Sequence, residues 1–352
     1  MTTHHPLTRL IGSSTIALVA LLALVACDHQ DVVAPQETMS EQHAHAGPAT
    51  ISNANVVEVI ARHEGEDYVF DLSDEVIPSG WTTFELDNHS SATHFAWIAK
   101  VPRGAHRGAA KAGMELLDYW IESVTNPFQA VMDGIIAGDP DAFDPFNEMP
   151  GWFSDPGPRP SGGPGFLAGH ENTRTTVYLD EGTYIIECYV KDGDGQFHSA
   201  TGMIALLEVD NDLGHRGSEP RASFDVVVSS DGIEAADRMR PGLHNVRVHF
   251  ADQQVYGNGL GHDVHLIRLN GEDVEDVAQW LNWMLPTGLE SSSRDRGPQT
   301  FLGGVQTMAA GDIGYMTVNL TPGEYAWIAE VPADVGMWKT FTVPHGTTTG
   351  RR

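Results

Sequence analysis

The chain has 352 residues, 19% of them charged, with 20 Lys+Arg against 48 Asp+Glu and a formal charge of −28. That sign excludes nucleic-acid binding as the main activity, because neutralisation of phosphates by Lys and Arg dominates such interfaces. A hydrophobic share of 41% with 37 Gly and 20 Pro indicates a folded, turn-rich chain of two domains, and a count of two Cys excludes a disulfide scaffold.

In chain order, Met1 to Arg9 is short and mildly basic, Leu10 to Ala26 is apolar and small, and Cys27 follows at once. This is the pattern of a secretory signal, too short and too early for a lone membrane span. Leu24-Val25-Ala26-Cys27 also resembles the bacterial lipoprotein box. The resemblance implies a signal over residues 1–27, with Cys27 the lipid-modified start of the mature chain. It also implies an exported protein anchored to the outer face of the inner membrane, which Asp28 would favour, or to another envelope membrane. Loss of Arg9 with the signal leaves 19 basic residues against 48 acidic ones, a charge of −29. Residues 28–50 are polar and without period, a flexible spacer in which His43 and His45 could hold metal only weakly. Cys188 is then left without a partner, either buried as a small apolar residue or occupied by a metal.

From Asn55 onward, short β-rich runs alternate with turn residues: Val56–Ala61, Tyr68–Leu72, Trp81–Leu86, His94–Ala99, Thr175–Leu179, Tyr184–Val190 and Met203–Val209. The expected fold is an all-β sandwich. Met114, Leu117 and Ile121 recur at helical spacing and predict one helix from Ala109 to about Ile121, while Pro and Gly make Met149 to Gly165 a long loop. The pattern then repeats. Phe224–Val228 mirrors the first strand, and Asn245-Val246-Arg247-Val248 mirrors Thr83-Phe84-Glu85-Leu86. His262–Arg268 mirrors His94–Lys100, and Val274, Val277, Leu281 and Met284 predict a second helix. Phe301-Leu302-Gly303-Gly304 answers Phe166-Leu167-Ala168-Gly169, Tyr325–Ala329 answers Tyr184–Cys188, and Gly336-Met337 answers Gly202-Met203. Two homologous sandwiches in tandem follow, 51–210 and 223–345, joined by a linker at 211–222.

The chemistry gathers in the first copy. Cys188 ends a strand, His198 lies in the next loop, Met203 begins the next strand and His94 opens a neighbouring one after a polar turn at Asn88–Thr93. Taken singly, Met203 is a core residue and His198 a surface histidine. Together, two imidazoles, a thiolate and a weak thioether make the ligand set of a blue-copper site. The segments Gly182-Thr183-Tyr184, Cys188, His198 and Gly202-Met203 resemble the late signature of the cupredoxins. The resemblance covers both repeats and implies two cupredoxin-like Greek-key sandwiches, with one type 1 copper on His94, Cys188, His198 and axial Met203. This chain departs from the family in three places: nine residues separate Cys188 from His198, Phe95 stands where many members have Asn, and the 102–166 insertion is large. In the second copy Ala329 replaces Cys188 and no His lies between it and Met337, so that copy is expected to be copper-free. His244, His249 and His265 form a further cluster in sequence, best read as packing residues.

The resemblance implies an electron carrier rather than an enzyme, with electrons entering at an exposed edge of His198. The acidic surface would either steer a basic redox protein, such as a c-type cytochrome, or serve solubility. A copper oxidase or nitrite reductase needs a further copper with its own histidines, whereas Glu187 and Tyr189 flank Cys188. A copper-binding or delivery lipoprotein is the remaining alternative. Gly257–Gly261 is a turn, since no helix pattern follows it.

Overall fold

The computed structural model describes residues 55–65, 67–291 and 300–345. Cys27, His43 and His45 lie outside them. Among the described residues no helix is long and apolar enough to cross a membrane.

The first half contains β1 (Asn55–Glu64), β2 (Asp67–Leu72), β3 (Val76–Asn88), β4 (Trp97–Lys100), β5 (Arg159–Pro160), β6 (Asn172–Leu179), β7 (Gly182–Glu187) and β8 (Ile204–Arg216). The second contains β9 (Phe224–Ser229), β10 (Gly232–Glu234), β11 (Gly242–Phe250), β12 (Val264–Arg268), β13 (Thr300–Val305), β14 (Ile313–Leu320), β15 (Gly323–Ile328) and β16 (Trp338–Val343). Pairing recurs element by element. β1 is parallel to β3 as β9 is to β11, β3 is antiparallel to β6 as β11 is to β14, and β4–β7–β8 corresponds to β12–β15–β16. Even the corner is copied: Tyr184 donates its hydroxyl to Asp180 O at 2.8 Å, and Tyr325 donates to Thr321 O at 2.7 Å. Such a corner fixes the chain direction entering an inner strand of a Greek-key sandwich. The all-β expectation is met. β8 runs on to Arg216, so the first part of the expected 211–222 linker is strand, paired with β3.

The two copies meet through their equivalent strands. Thr175 pairs with Phe84 and Met316 pairs with Val246, which makes Thr175 and Met316 counterparts, and they pair with each other where β6 runs antiparallel to β14. The interface therefore has an internal pseudo-two-fold axis, the self-complementary arrangement of a symmetric dimer. A second contact follows the same rule, with Leu167 bridged to Leu302 between the matching Phe-Leu segments. Glycine permits this approach: Gly303 has φ +99°, and a Cβ there would lie 2.2 Å from Thr173 Oγ1.

The insertion departs most from its expected form. The helix predicted over Ala109 to Ile121 is two: α1 (Arg103–Ala112) ends at Gly113 in the left-handed conformation, and α2 (Leu116–Trp120) starts anew. α2 then continues through a π-helical turn, Ile121–Thr125, into α3 (Asn126–Ala137), well past Ile121. Burial explains the extension, because Gln129, Val131 and Met132 face the core. Within the expected 149–165 loop lie α4 (Gly151–Ser154) and β5. Ala105, Trp120 and Val124 pack with Ala99, Ile185 and Ile204, so the insertion covers the outer face of the β4–β7–β8 layer. The second helix, α6 (Val274–Trp280), is capped by Asp273, whose carboxylate accepts from Glu275 N.

One buried cation ties the copies together. Lys191, fully buried, donates to the carbonyls of Trp283 (3.1 Å), Leu285 (2.7 Å) and Pro286 (3.3 Å) in the second copy. Its backbone adds bonds to Leu289 and Ser291. Lys191→Met would leave three carbonyls without their donor, and we expect a loss of about 3 kcal/mol in stability. The measurement is a denaturant titration; an unchanged midpoint refutes the role assigned to this tether.

Candidate metal centre

Cys188 is the residue just after β7. Its amide donates to Met203 O at 3.2 Å, and its carbonyl accepts from Ser199 N at 2.8 Å. The loop between is internally bonded: Asp192 accepts from Asp194 N and Gln196 N, and His198 N donates to Val190 O. His198 opens a single helical turn, α5 (His198–Thr201), and its carbonyl accepts from Met203 N at 2.8 Å. His94 precedes β4 and is pinned by reciprocal backbone bonds with Leu167. Main-chain hydrogen bonds thus hold the four expected ligand positions, and all four residues are fully buried.

The side chains of His94, Cys188 and His198 converge. His94 Nδ1 and His198 Nδ1 are 3.1 Å apart, and each lies 3.8 Å from Cys188 Sγ. With bonds of about 2.0 Å to nitrogen and about 2.3 Å to sulfur, a triangle of this size gives angles at a central ion summing to roughly 350°, nearly flat. That is the trigonal His2Cys arrangement. Met203 lies beside it, joined to Cys188 and His198 through its backbone.

Hydrogen bonding assigns the tautomer of His94. Ser90 Oγ donates to Asn88 Oδ1 at 2.9 Å and accepts from Ala92 N at 3.1 Å. Its remaining capacity is for a donor, so His94 Nε2–H donates to it at 2.7 Å and the Nδ1 lone pair faces the centre. On the other imidazole, Nε2 of His198 lies 3.5 Å from Ser291 Oγ of the second copy. Burial holds His198 well below the usual histidine range, with His94 and His63 adding to the effect, and therefore keeps it neutral. Burial pushes the Cys188 thiol up to about 12, opposed by backbone hydrogen bonds from Phe95 and Val190. The bond at position 95 comes from the main chain, so Phe in place of Asn does not remove it. Burial also pushes Glu187 up to about 7.

One expectation fails. His198 has no exposed edge. Gln129 of α3 accepts from Phe197 N at 2.8 Å and donates to Gly195 O at 3.3 Å, clamping the ligand loop. Tyr68 of β2 lies over the imidazoles, 4.1 Å from His198 and 4.9 Å from His94 between ring centroids, and Ser291 closes the remaining side. Of the residues around the centre, the sequence signalled only Ser90, through its polar turn. Tyr68, Gln129 and Ser291 carried no signal because their proximity is purely tertiary.

The second copy keeps the frame without the ligands: Ala329 N donates to Met337 O at 3.1 Å, as Cys188 N does to Met203 O. His262, the counterpart of His94, is bonded to Tyr256 Oη and Asp252 O. His244, His249 and His265 form no ligand group among the described residues. Asp263, His265 and Glu330 do converge, all buried. However, His265 Nδ1 accepts from Phe166 N at 3.2 Å, so Nε2 carries the proton and donates it to Asp263 at 2.9 Å. That nitrogen has no lone pair for an ion.

No protein-family model matches the chain, and no curated protein matches it. Among solved structures it is similar to auracyanin A, a blue copper protein from Chloroflexus aurantiacus, with 20% identity, 44% of this chain and 98% of that one covered, and a TM-score of 0.25. It is also similar to a multicopper oxidase, with 13% identity, 82% and 87% covered and a TM-score of 0.20. A copper-containing nitrite reductase from Thermus scotoductus matches at 13% identity, 84% and 62% covered, with a TM-score of 0.20. Values this low carry no weight for the site, which stands on its own geometry.

Two outcomes test that geometry. Ser90→Ala removes the acceptor that orients His94, and metal affinity is expected to fall about 10- to 100-fold; an unchanged competition titration would show that His94 is held by other means. Because the metal-free centre carries a Cys188 thiol at neutral pH, binding must displace its proton. Zinc(II), a redox-inert probe, should bind about tenfold more tightly per pH unit between about pH 6 and pH 8, releasing one proton per ion. An affinity flat with pH means that Cys188 is not a ligand.

Proposed function

We propose that this chain is an exported one-electron carrier that holds a single type 1 copper ion on His94, Cys188 and His198, with Met203 as the weak axial ligand. The observation that carries this reading is the buried triangle of two Nδ1 atoms and one Sγ, sized for a flat three-coordinate ion. Bound there, copper supplies a one-electron couple between its Cu(I) and Cu(II) states. The residues do the rest. Cys188 provides the thiolate, which the Phe95 and Val190 amides favour. Ser90 and Asn88 fix the ring of His94. The backbone bonds of the 188–203 loop hold His198 and Met203 in place, so little has to move between oxidation states. Tyr68, Gln129 and the 280–291 segment exclude water, which leaves no position for a substrate oxygen at the centre.

An oxidase or reductase would need a second metal with free imidazoles, and the other buried histidine–carboxylate group among the described residues has its histidine nitrogens occupied. That favours the carrier over the enzyme. Anchoring through a lipid on Cys27, at the outer face of a bacterial membrane, and a basic partner such as a c-type cytochrome complete the proposal. They are motivated by the lipobox-like segment and by the charge of −28.

The test is a visible spectrum of residues 28–352 loaded with copper(II), beside Cys188→Ser. An intense thiolate-to-copper band is expected in the parent and none in the variant. A colourless parent under oxidising conditions refutes the carrier, and tight copper(I) binding without the band would favour delivery.

A further inference from the structure

With every ligand buried, electrons need a route that is not the edge of a coordinating imidazole. An aromatic column leads from the centre toward solvent. Tyr68 lies on both imidazoles, and its hydroxyl is hydrogen-bonded to Ser291, whose Oγ also faces His198 Nε2. On its outer side, His63 lies 4.2 Å from the Tyr68 ring. The two residues are direct cross-strand partners in the β1–β2 hairpin, so this stacking follows from register. His63 is exposed and Tyr68 is half-buried.

The surface around this column is acidic. Glu64 and Asp67 are exposed beside it in the same hairpin, and the charge of Asp192 on the ligand loop acts on Tyr68. The nearest hairpin cation, Arg62, is neutralised by ion pairs with Asp71 and Glu64. The Lys191 ammonium, the nearest cation on the ligand loop, is buried against carbonyls.

We infer that His63 and Tyr68 form the port through which electrons reach and leave the centre, and that this surface docks a positively charged redox protein. The inference rests on the copper reading above. In the step itself, one electron passes from the reduced partner to the bound metal ion, with no bond made or broken and no proton moved. Tyr68 is a positioning residue: it shortens the path and seals it against water, without coordinating.

Two measurements test the port. In the metal-free protein, residues 28–352, titration with the paramagnetic cation hexaamminechromium(III) should broaden amide resonances of residues 62–68 and 192–194 first. Broadening spread evenly over the exposed carboxylates overturns the docking surface. In the copper-loaded protein, reduction by hexaammineruthenium(II) followed by stopped flow should slow about tenfold on Glu64→Lys with Asp67→Lys, through loss of steering. The reversal Asp231→Lys with Glu234→Lys, on the β9–β10 hairpin, should leave the rate unchanged. Tyr68→Leu should slow the reaction severalfold with the visible band intact, and Tyr68→Phe, which keeps the ring, should not. An intact band with an unchanged rate in Tyr68→Leu overturns the port alone. Absence of the band in the parent overturns the copper reading, and the port with it.

Discussion

Ligand atoms packed together out of water can grip a cation only where the fold keeps them from turning away. At this centre two imidazole nitrogens stand 3.1 Å apart beside a buried sulfur, and neither ring can turn away. His94 is locked by Ser90 and Asn88, and His198 by its place at the head of α5 and by the rings and loops around it. The fold therefore concentrates two imidazole nitrogens and one thiol at a single buried place. A cation that displaces the thiol proton would take all three atoms, and the flatness of the triangle favours an ion content with three strong ligands.

Much of the remaining structure serves to keep that triangle closed. The insertion, which looks like surplus in sequence, places Gln129 on the ligand loop and covers the outer face of the β4–β7–β8 layer. The second copy has Ala329 at the counterpart of Cys188 but contributes the 280–291 segment, whose carbonyls hold Lys191 and whose Ser291 faces His198. A buried ammonium is costly unless its protons are all accepted, and here three carbonyls accept them. The second copy thus acts as a wall of the centre in the first.

The union of the copies has a simple geometric basis. Counterpart strands pair antiparallel about counterpart residues, Thr175 and Met316, so the edges of two equivalent sheets complete each other and neither is left open to other chains. Glycines at the matching Phe-Leu segments let the backbones approach there. The same union brings Tyr189, next to the Cys188 thiol, to Glu330 of the other copy at 3.2 Å, so the buried acids of both halves share one electrostatic neighbourhood.

The sequence by itself determined the strands, the recurring pattern and the residues His94, Cys188 and His198 that converge, because alternation, turn residues and motif spacing are local properties that need no knowledge of neighbours. It erred where tertiary burial outweighed local signals. The helical run continues past Ile121 into α3 because the buried face of α3 packs on the 188–203 loop, and β8 extends to Arg216 because β3 offers it a partner. Only the tertiary structure decided that His198 is sealed, that Phe95 acts through its amide and that Tyr68, Gln129 and Ser291 enclose the centre. Those residues come from positions far apart in the chain, and only chain packing brings them together.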